Sequence, residues 1–522
     1  MSSDPCEPTK AQAGPAEAGW RDVPRDDGSP FIFRFETKRQ KYVYDVNTRR
    51  ILRVSPIVWE VLGDYGLLPA RQIVSKWATR YPAGDLSAAL EAIDKSRREQ
   101  GVFLSVRPAQ VTPPPEERIR RELESGREQV ILNITEDCCF RCTYCVFGGA
   151  YPGERVHSER SMSWEIARSA IDDFLRHSHQ ADHRTVSFYG GEPLLSYDLL
   201  RRCAEHVRQA RPLDDVRLSL TTNGALLAGE IAGFLAAEKF SIVVSLDGPE
   251  AVHDRHRRTK TGSATWRLVC RNLAAFLDAH PEYRTNGLLR FNAVATGETD
   301  LLEVEQFFGS CGLFTDSMAL EIGQQRYVPG ATPPGGSDAL ATSRDALYRQ
   351  FLDHLRSGWV TENYARRCRW VEASFFDKPF IGFHKRGYLT PHLPQSMSLL
   401  NTCVPGGRKV FVTTDGNYLP CERVVPSDEL VMGHAAAGMD VPRIVALLVR
   451  WAAAARDRCR YCWCLPTCKV GCFATLPDLT PEAMAKACAA CRRQTHYLLT
   501  QYCAVLEENP RAFDFAEQTE LV

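Results

Sequence analysis

QVILNITEDCCFRCTYC, residues 129–145, runs an apolar strand straight into a loop that holds four cysteines in nine positions. QVILNIT by itself is a short β-branched run of the kind carried by a strand buried on both faces. Beyond the loop the pattern repeats. TVSFYG (185–190), VRLSLTT (216–222), FSIVVSL (240–246), LLRFNAVA (288–295) and MALEIG (318–323) are further candidate strands, each separated from the next by a stretch with an amphipathic helical segment. In SWEIARSAIDDFLRHS (163–178), for example, Ile166, Ala170, Ile171 and Phe174 share one face. Apolar strands alternating with helices predict a parallel sheet and an α/β class. Six units are too few for a closed eight-fold barrel, so the expected architecture over 129–330 is a partial (β/α)6 TIM-type barrel. In such barrels the reacting groups sit just past the carboxyl ends of the strands. Four short sequences fall there: the cysteine loop after the first strand, GGEP (190–193) after the second, TTNG (221–224) after the third and SLDGP (245–249) after the fourth.

The 522-residue chain has room for three or four domains at about 150 residues each. Its 44% hydrophobic and 25% charged residues are ordinary globular usage, which sets aside fibrous and disordered classes. The 64 Lys plus Arg balance the 64 Asp plus Glu, so no overall basic field points to nucleic acid or anionic lipid. MSSDPCEPTKAQAGPAEAGW (1–20) carries Asp4 and Glu7 where a signal peptide carries positive charge, and no apolar core follows. No apolar run reaches the roughly 18 residues of a membrane span. The expected location is the cytoplasm, where thiols stay reduced. Nineteen cysteines there point to metal or redox chemistry rather than a disulfide framework. Six of them, Cys6, Cys203, Cys270, Cys311, Cys368 and Cys503, are scattered and read as small buried hydrophobes.

Residues 1–29, rich in Pro, Gly, Ala and acidic residues, read as a mobile tail. FIFRF (31–35), YVYDV (42–46) and RILRVS (50–55) then predict three strands. Three helices follow: SPIVWEVLGDYG (55–66) with Ser55 as N-cap and Pro56 first in the helix, PARQIVSKWATRY (69–81), and DLSAALEAIDKSRRE (85–99) with Asp85 as cap. Together they predict a small winged-helix-like domain over 30–107. VTPPPEERIRRELESGREQ (111–129) starts with three prolines and turns highly charged, so 108–128 reads as a linker. Residues 331–400 read as a bridging helical region and 511–522 as a tail.

Cys138, Cys142 and Cys145 are spaced CxxxCxxC. Three thiolates on one short loop suit three irons of a [4Fe-4S] cube and leave the fourth iron open to another ligand. The rival is a zinc loop, although structural zinc favours four protein ligands and paired CxxC spacings. Taken with GGEP and SLDGP after later strands, the sequence resembles the radical S-adenosylmethionine (SAM) superfamily. The resemblance implies that Cys138, Cys142 and Cys145 ligate three irons and that the amino and carboxylate groups of SAM chelate the fourth. It implies that Tyr144 lies against adenine, that Gly190, Gly191 and Glu192 bind the methionine ammonium, and that Ser245 and Asp247 meet the ribose and nearby polar groups. Asn223 of TTNG is assigned to the same cofactor. Arg257, in HDRHR (253–257), stands where related enzymes carry an arginine near the SAM carboxylate, with Arg255 and Arg258 beside it as ordinary partners for surface salt bridges. Cys139 departs from the three-ligand pattern and reads as a non-ligand.

Twelve residues separate Cys403 from Gly416, and GNYLPC ends at Cys421. CRYCWCLPTCKVGC (459–472) then spaces Cys459, Cys462, Cys468 and Cys472 as CxxCxxxxxCxxxC, with Cys488 and Cys491 downstream. This is similar to the SPASM domain, expected here over 401–510, which holds two auxiliary [4Fe-4S] clusters and brings the implied total to three. The family pattern assigns Cys403, Cys421 and Cys472 to the first. It assigns Cys459, Cys462 and Cys468 to the second, with Cys491, or alternatively Cys488, as the last ligand. In sulfatase-maturing relatives a fourth cysteine for the first cluster lies in the interval that here reads VPGGRKVFVTTD (404–415), which has none. Either Cys464 or Cys368 folds in, or the first auxiliary cluster has an open iron. An open iron could bind a substrate thiolate, lower its pKa and accept the electron released when carbon bonds to sulfur.

YVYDVNTRRILRVSPIVWEVL (42–62) resembles the small peptide-binding domain shared with the pyrroloquinoline-quinone biosynthesis chaperone, in which a leader peptide adds as an extra strand to the sheet edge. The order of parts over residues 30–500 is most similar to the maturases of cysteine-rich ribosomal peptides. The implied function is modification of a leader-bearing precursor peptide through hydrogen abstraction by a 5′-deoxyadenosyl radical, installing a cysteine thioether. Carbon–carbon crosslinking, epimerisation and sulfatase-type maturation of a protein are the alternatives. An electron donor such as flavodoxin or ferredoxin is implied; nucleic acid and membrane are not expected as partners. Glu321 ends the sixth strand, where a carboxylate is more often structural, so no general acid or base is named.

Overall fold

A computed structural model describes residues 28–517 apart from 152, 212–214, 326–337, 368–369, 388–391, 399–402, 469 and 475–478. Residues 1–27 of the expected tail, with Cys6, and also Cys368, lie outside the described residues. Three antiparallel strands come first: β1 (Ile32–Glu36), β2 (Lys41–Asp45) and β3 (Ile51–Val54), in that spatial order. Helices Pro56–Val61, Ala70–Trp77 and Ala83–Gln100 cover them, and Val43, Val61, Ile73, Leu86 and Ile93 form a shared core. Ser55 caps the first helix, its Oγ accepting from Val58 N at 3.3 Å. Asp85 is not the cap of the third helix. Pro82 takes that position, and Asp85 lies in the first turn, where a carboxylate still meets the positive end of the helix.

The stretch expected as a linker is structured. β4 (Gln110–Thr112) pairs in parallel with Ser396–Ser398, and helix Glu116–Glu124 buries Ile119 and Leu123 in the core of the cysteine-rich region. Its charges are the outer face, tied by i,i+4 pairs such as Arg118–Glu122 and Arg120–Glu116.

The central sheet follows. β5 (Gln129–Thr135), β6 (Thr185–Gly190), β7 (Arg217–Thr222), β8 (Ser241–Ser245), β9 (Leu289–Ala295) and β10 (Ala319–Gln324) are parallel neighbours in chain order. Their inner residues, among them Leu132, Phe188, Leu220, Val244 and Phe291, are buried. After β11 (Ser396–Ser398), the strand β12 (Lys409–Val412) joins in parallel on the other side of β5, and β13 (Tyr418–Leu419) turns back against it. The sheet is open, with order β10-β9-β8-β7-β6-β5-β12-β13. The six strands expected from the sequence are therefore extended by a seventh parallel strand that the cysteine-rich region supplies.

The three-stranded unit is docked on that region. Phe33 of β1 stacks on Trp463 with ring centroids 3.7 Å apart, and Glu507 accepts from Thr37 at 2.7 Å and from Tyr42 at 2.9 Å. The expected tail from 511 is anchored through 517: Phe513 and Phe515 are buried, and Phe513 stacks on Tyr502 at 4.6 Å. Among the described residues no helix is long and apolar enough to cross a membrane.

Candidate functional site

The cysteine loop leaves the carboxyl end of β5 and is laced in place from two sides. Asp137 Oδ1 accepts from Cys138 N at 2.8 Å and from Lys260 Nζ at 2.7 Å. Arg141 N donates to Arg258 O at 2.7 Å, Thr143 N to His256 O at 3.0 Å. The segment after helix Glu250–His256 thus forms one wall of the loop.

The other wall is GGEP. Gly191 N donates to Thr135 O at 2.9 Å and Glu192 N to Asp137 O at 2.8 Å. A Cβ at Gly190 would lie 2.1 Å from Thr135 O, and one at Gly191 2.0 Å from Asp137 O. The close backbone approach that these glycines allow is therefore to the cysteine loop itself, and their residue type sets where the cysteines stand.

Glu192 is fully buried. Its Oε1 accepts from Leu194 N at 3.1 Å and Thr222 Oγ1 at 2.8 Å, its Oε2 from Asn223 N at 2.7 Å. Three of about four lone-pair sites are used, so one remains on Oε2. Burial pushes its carboxyl up to about 7 against the pull of these donors. Asn223 carries the link onward: its Nδ2 is 3.2 Å from Cys139 Sγ and 3.7 Å from Cys138 Sγ. Cys139 thus belongs to the interior of the site, although the spacing leaves it out of the ligand set.

Asp247 is tied to three other segments of the site. Its Oδ2 accepts from Tyr144 Oη at 2.5 Å and Arg257 Nε at 3.0 Å, its Oδ1 from Arg257 Nη2 at 3.1 Å and Val294 N at 3.0 Å. Both oxygens are engaged inside the protein, and Asp247 holds Arg257 and Tyr144. Arg257 is buried with it, 5.5 Å from the Tyr144 ring. Ser245 ends β8 nearly buried, opposite Asn292. Glu321 is exposed and faces Lys378 at 3.4 Å.

Burial pushes the Cys142 thiol up to about 11, against the lowering pull of Arg257, and raises Cys145 as well.

The carboxyl-terminal cysteines divide into two groups. The electrostatic neighbours of Cys403 include Cys472, Cys421 and the Glu122 carboxylate, and those of Cys421 include Cys472. Cys459, Cys462, Cys464, Cys468, Cys488 and Cys491 form the second group; Cys464 shares sulfur hydrogen bonds with Cys462 and Cys491, and Cys468 with Cys491. Cys464 thus stands with the second group. Both Cys488 and Cys491 stand with the second. Among the described residues no three Cys, His, Asp or Glu side chains converge on one point as a single ion requires. Of the scattered cysteines, Cys203, Cys270 and Cys503 are buried and Cys311 is partly exposed.

Residues 132–293 match the Radical SAM superfamily. The chain carries a radical SAM domain. Its relatives include the radical SAM cyclopropyl synthase TigE of Paramaledivibacter caminithermalis, 24% identical over 194 residues, which are 35% of this chain and 39% of that protein. A cysteine-type anaerobic sulfatase-maturating enzyme of Clostridium perfringens is 32% identical over 150 residues, 28% of this chain and 40% of that protein. The chain thus spans about two fifths of the length of these curated relatives. The solved structure of native anSMEcpe with bound AdoMet and Cp18Cys peptide aligns with a TM-score of 0.51 at 19% identity, covering 76% of this chain and 100% of that one. That likeness is one of fold.

A radical SAM domain implies SAM and a [4Fe-4S] cluster, and the donor set fits both. Cys138, Cys142 and Cys145 offer one thiol to each of three irons. The unused lone pair of Glu192 suits an ammonium. The residues that sequence reasoning misses are those that hold others: Asp137, His256 and Lys260 around the loop, and the ring and guanidinium groups of Phe147, Arg155, Tyr189 and Phe411 beside it. Their partners come from distant segments, so no local spacing marks them.

Proposed function

We propose that this chain is a radical SAM maturase of a ribosomally synthesised precursor peptide and that it closes a thioether between a peptide cysteine and a carbon of the same peptide. What carries the reading is the first carboxyl-terminal group. Cys403, Cys421 and Cys472 are electrostatic neighbours, and the interval 404–415, where a fourth cysteine would be expected, contains none. A cluster held by three thiols keeps a position for a substrate thiolate. Cys403 precedes and Cys421 follows the strand pair β12–β13, which extends the sheet next to β5, the strand that leads into the three-cysteine loop.

Bound at that loop, SAM and its cluster would supply radical chemistry able to remove hydrogen from an unactivated carbon. The chain itself binds and orients: Cys138, Cys142 and Cys145 hold the irons, Glu192 receives the ammonium, and Asp247 fixes Arg257 towards the carboxylate. Cys459, Cys462 and Cys468, with Cys491 or Cys488, hold a third cluster. The leader adds to an edge of the β1–β3 sheet by backbone hydrogen bonds. The reducing electron comes from a flavodoxin or ferredoxin in the cytoplasm.

The test is an anaerobic assay of reductant-dependent SAM cleavage with the cysteine-rich peptide encoded nearest the gene. A thioether leaves the peptide lighter by two hydrogens, and Cys→Ser in the peptide abolishes the crosslink; an unchanged crosslink yield would refute it. The match to a cyclopropyl synthase favours one second reading, carbon–carbon bond formation, which loses the same hydrogens without needing a thiol. Epimerisation would leave the mass unchanged. Metal analysis should give about 12 iron per chain, falling to about 8 when Cys138, Cys142 and Cys145 are all replaced by Ala. Zinc in place of iron would end the proposal.

A further inference from the structure

In the partition between the three-cysteine loop and Cys421, the protein buries a guanidinium that it does not satisfy. Arg155 is sandwiched, its Cζ 4.3 Å from the Phe147 ring and 4.3 Å from the Phe411 ring. Phe147 follows Cys145 by two residues, and Phe411 lies in β12. Arg155 Nη2 donates to the Glu422 carbonyl at 2.9 Å, while Nε and Nη1 are buried with no hydrogen-bond partner among the described residues. Glu422, next to Cys421, has the opposite defect. Its Oε1 is met by Lys409 Nζ at 3.4 Å and Arg423 Nε at 3.8 Å, and its Oε2 is buried with no partner among the described residues. Tyr189 stands edge-on to both phenyl rings at 6.4 Å and has Arg155, Glu422 and Cys145 among its charged neighbours.

Rings on both faces satisfy a guanidinium as a cation but leave its in-plane N–H groups without acceptors. Folded proteins leave few buried polar groups unpaired, and a kept exception calls for a partner. Here two orphan donors and one orphan acceptor belong to residues joined by the Arg155 Nη2 bond to the Glu422 carbonyl. A carboxylate or phosphate would suit Arg155 and be repelled by Glu422. A neutral amide suits both, its C=O accepting and its N–H donating. We propose that Arg155 and Glu422 bind one backbone amide of the substrate peptide, Arg155 donating through Nε or Nη1 to the carbonyl and Glu422 Oε2 accepting from the N–H, and so hold the reacting stretch between the two cysteine groups. The proposal rests on the peptide-modifying reading above and deepens it. Because both donors are closed to water in this state, the Phe147 ring or the loop bridged at Gly148 and Val156 gives way as the amide enters.

The experiment titrates the cluster-loaded protein, under anaerobic conditions, with N-acetylcysteine methylamide, the smallest unit that joins a thiol to two amides. The readout is the arginine Nε–H resonances of the 15N-labelled chain, with the Arg155 signal identified by its loss in Arg155→Lys. The expected result is a saturable shift of that signal, with binding weakened about 10-fold or more in Glu422→Gln and in Arg155→Lys. Iron content of each variant checks that it has folded. Equal binding by the parent and both variants overturns the amide site while leaving the peptide reading intact. A signal that answers acetate but not the cysteine amide assigns an anion site and overturns the proposal. Reductant-dependent SAM cleavage that no peptide accelerates removes the peptide reading, and the proposal with it.

Discussion

Gly191→Ala tests whether backbone contact, rather than any side chain, fixes the cysteine loop. The added Cβ would lie 2.0 Å from Asp137 O, 2.5 Å from Asp137 C and 2.9 Å from Glu136 O. Ordinary contact begins near 3.4 Å, so the end of β6 and the start of the loop must part by about 1.4 Å. None of the obstructing atoms is a flexible side-chain end, so relief requires moving backbone. The movement breaks Glu192 N→Asp137 O and Gly191 N→Thr135 O, 2.8 and 2.9 Å long, each worth about 1 kcal/mol. Overpacking strain adds about 1–3 kcal/mol. The expected loss is therefore about 3–5 kcal/mol in urea unfolding of the metal-free chain. Asp137 is bonded to Cys138, so a shift of this size also displaces the first ligand. With the three clusters proposed above, anaerobic reconstitution should then retain about 8 rather than 12 iron per chain. Gly233→Ala, in helix Gly229–Ala237 with open space around its Cβ, is the control: it should keep all its iron and gain up to about 1 kcal/mol. A Gly191→Ala protein with full iron and parental stability would refute the reasoning.

Three further outcomes follow from buried or partly buried groups. Asp247→Asn keeps the shape but strips the countercharge from buried Arg257, and should lower unfolding stability by about 3–5 kcal/mol and weaken SAM binding, read by denaturant titration and equilibrium dialysis. His253 is held down to about 4 from 6.5 by burial and then by Arg257. Below pH 6.5 the unfolded chain takes a proton that the folded one refuses, so stability falls with falling pH, by about 2 kcal/mol at pH 5, and the loss levels off below about 4. Urea titrations of the metal-free chain at pH 7.5 and 5 check this, and His253→Gln should flatten the difference by that amount. Phe33→Ala removes the ring stacked on Trp463 and should loosen the three-stranded unit by about 1–3 kcal/mol, seen as faster amide exchange in β1 with iron content unchanged.

The six parallel strands are legible in the sequence because each places apolar residues at successive or alternate positions over five to seven residues, and the cysteine loop because three thiols in eight positions have few other uses. Asp247 shows where local reading stops. Its position after β8 is readable, but its four donors come from Tyr144, Arg257 and Val294, three segments that only the fold brings together. Helix Glu116–Glu124 hides behind its own charges, with Ile119 and Leu123 its only buried residues. The strand β12 is the largest omission, and its cause is physical. KVFV is four residues long, too short for a periodic signal, and its partner β5 lies some 280 residues earlier in the chain, Arg408 pairing with Glu128 at the same edge. Its consequence reaches the site. Phe411 sits opposite Ile131 in the ladder, and Thr414 donates to Glu136 of the cysteine loop at 3.2 Å. The spacing between the three-cysteine loop and Cys421 is therefore set by the hydrogen bonds of a shared sheet rather than by a hinge between domains. A proline at Val410 would remove a ladder donor and crowd the strand, and it should disturb both cysteine groups together.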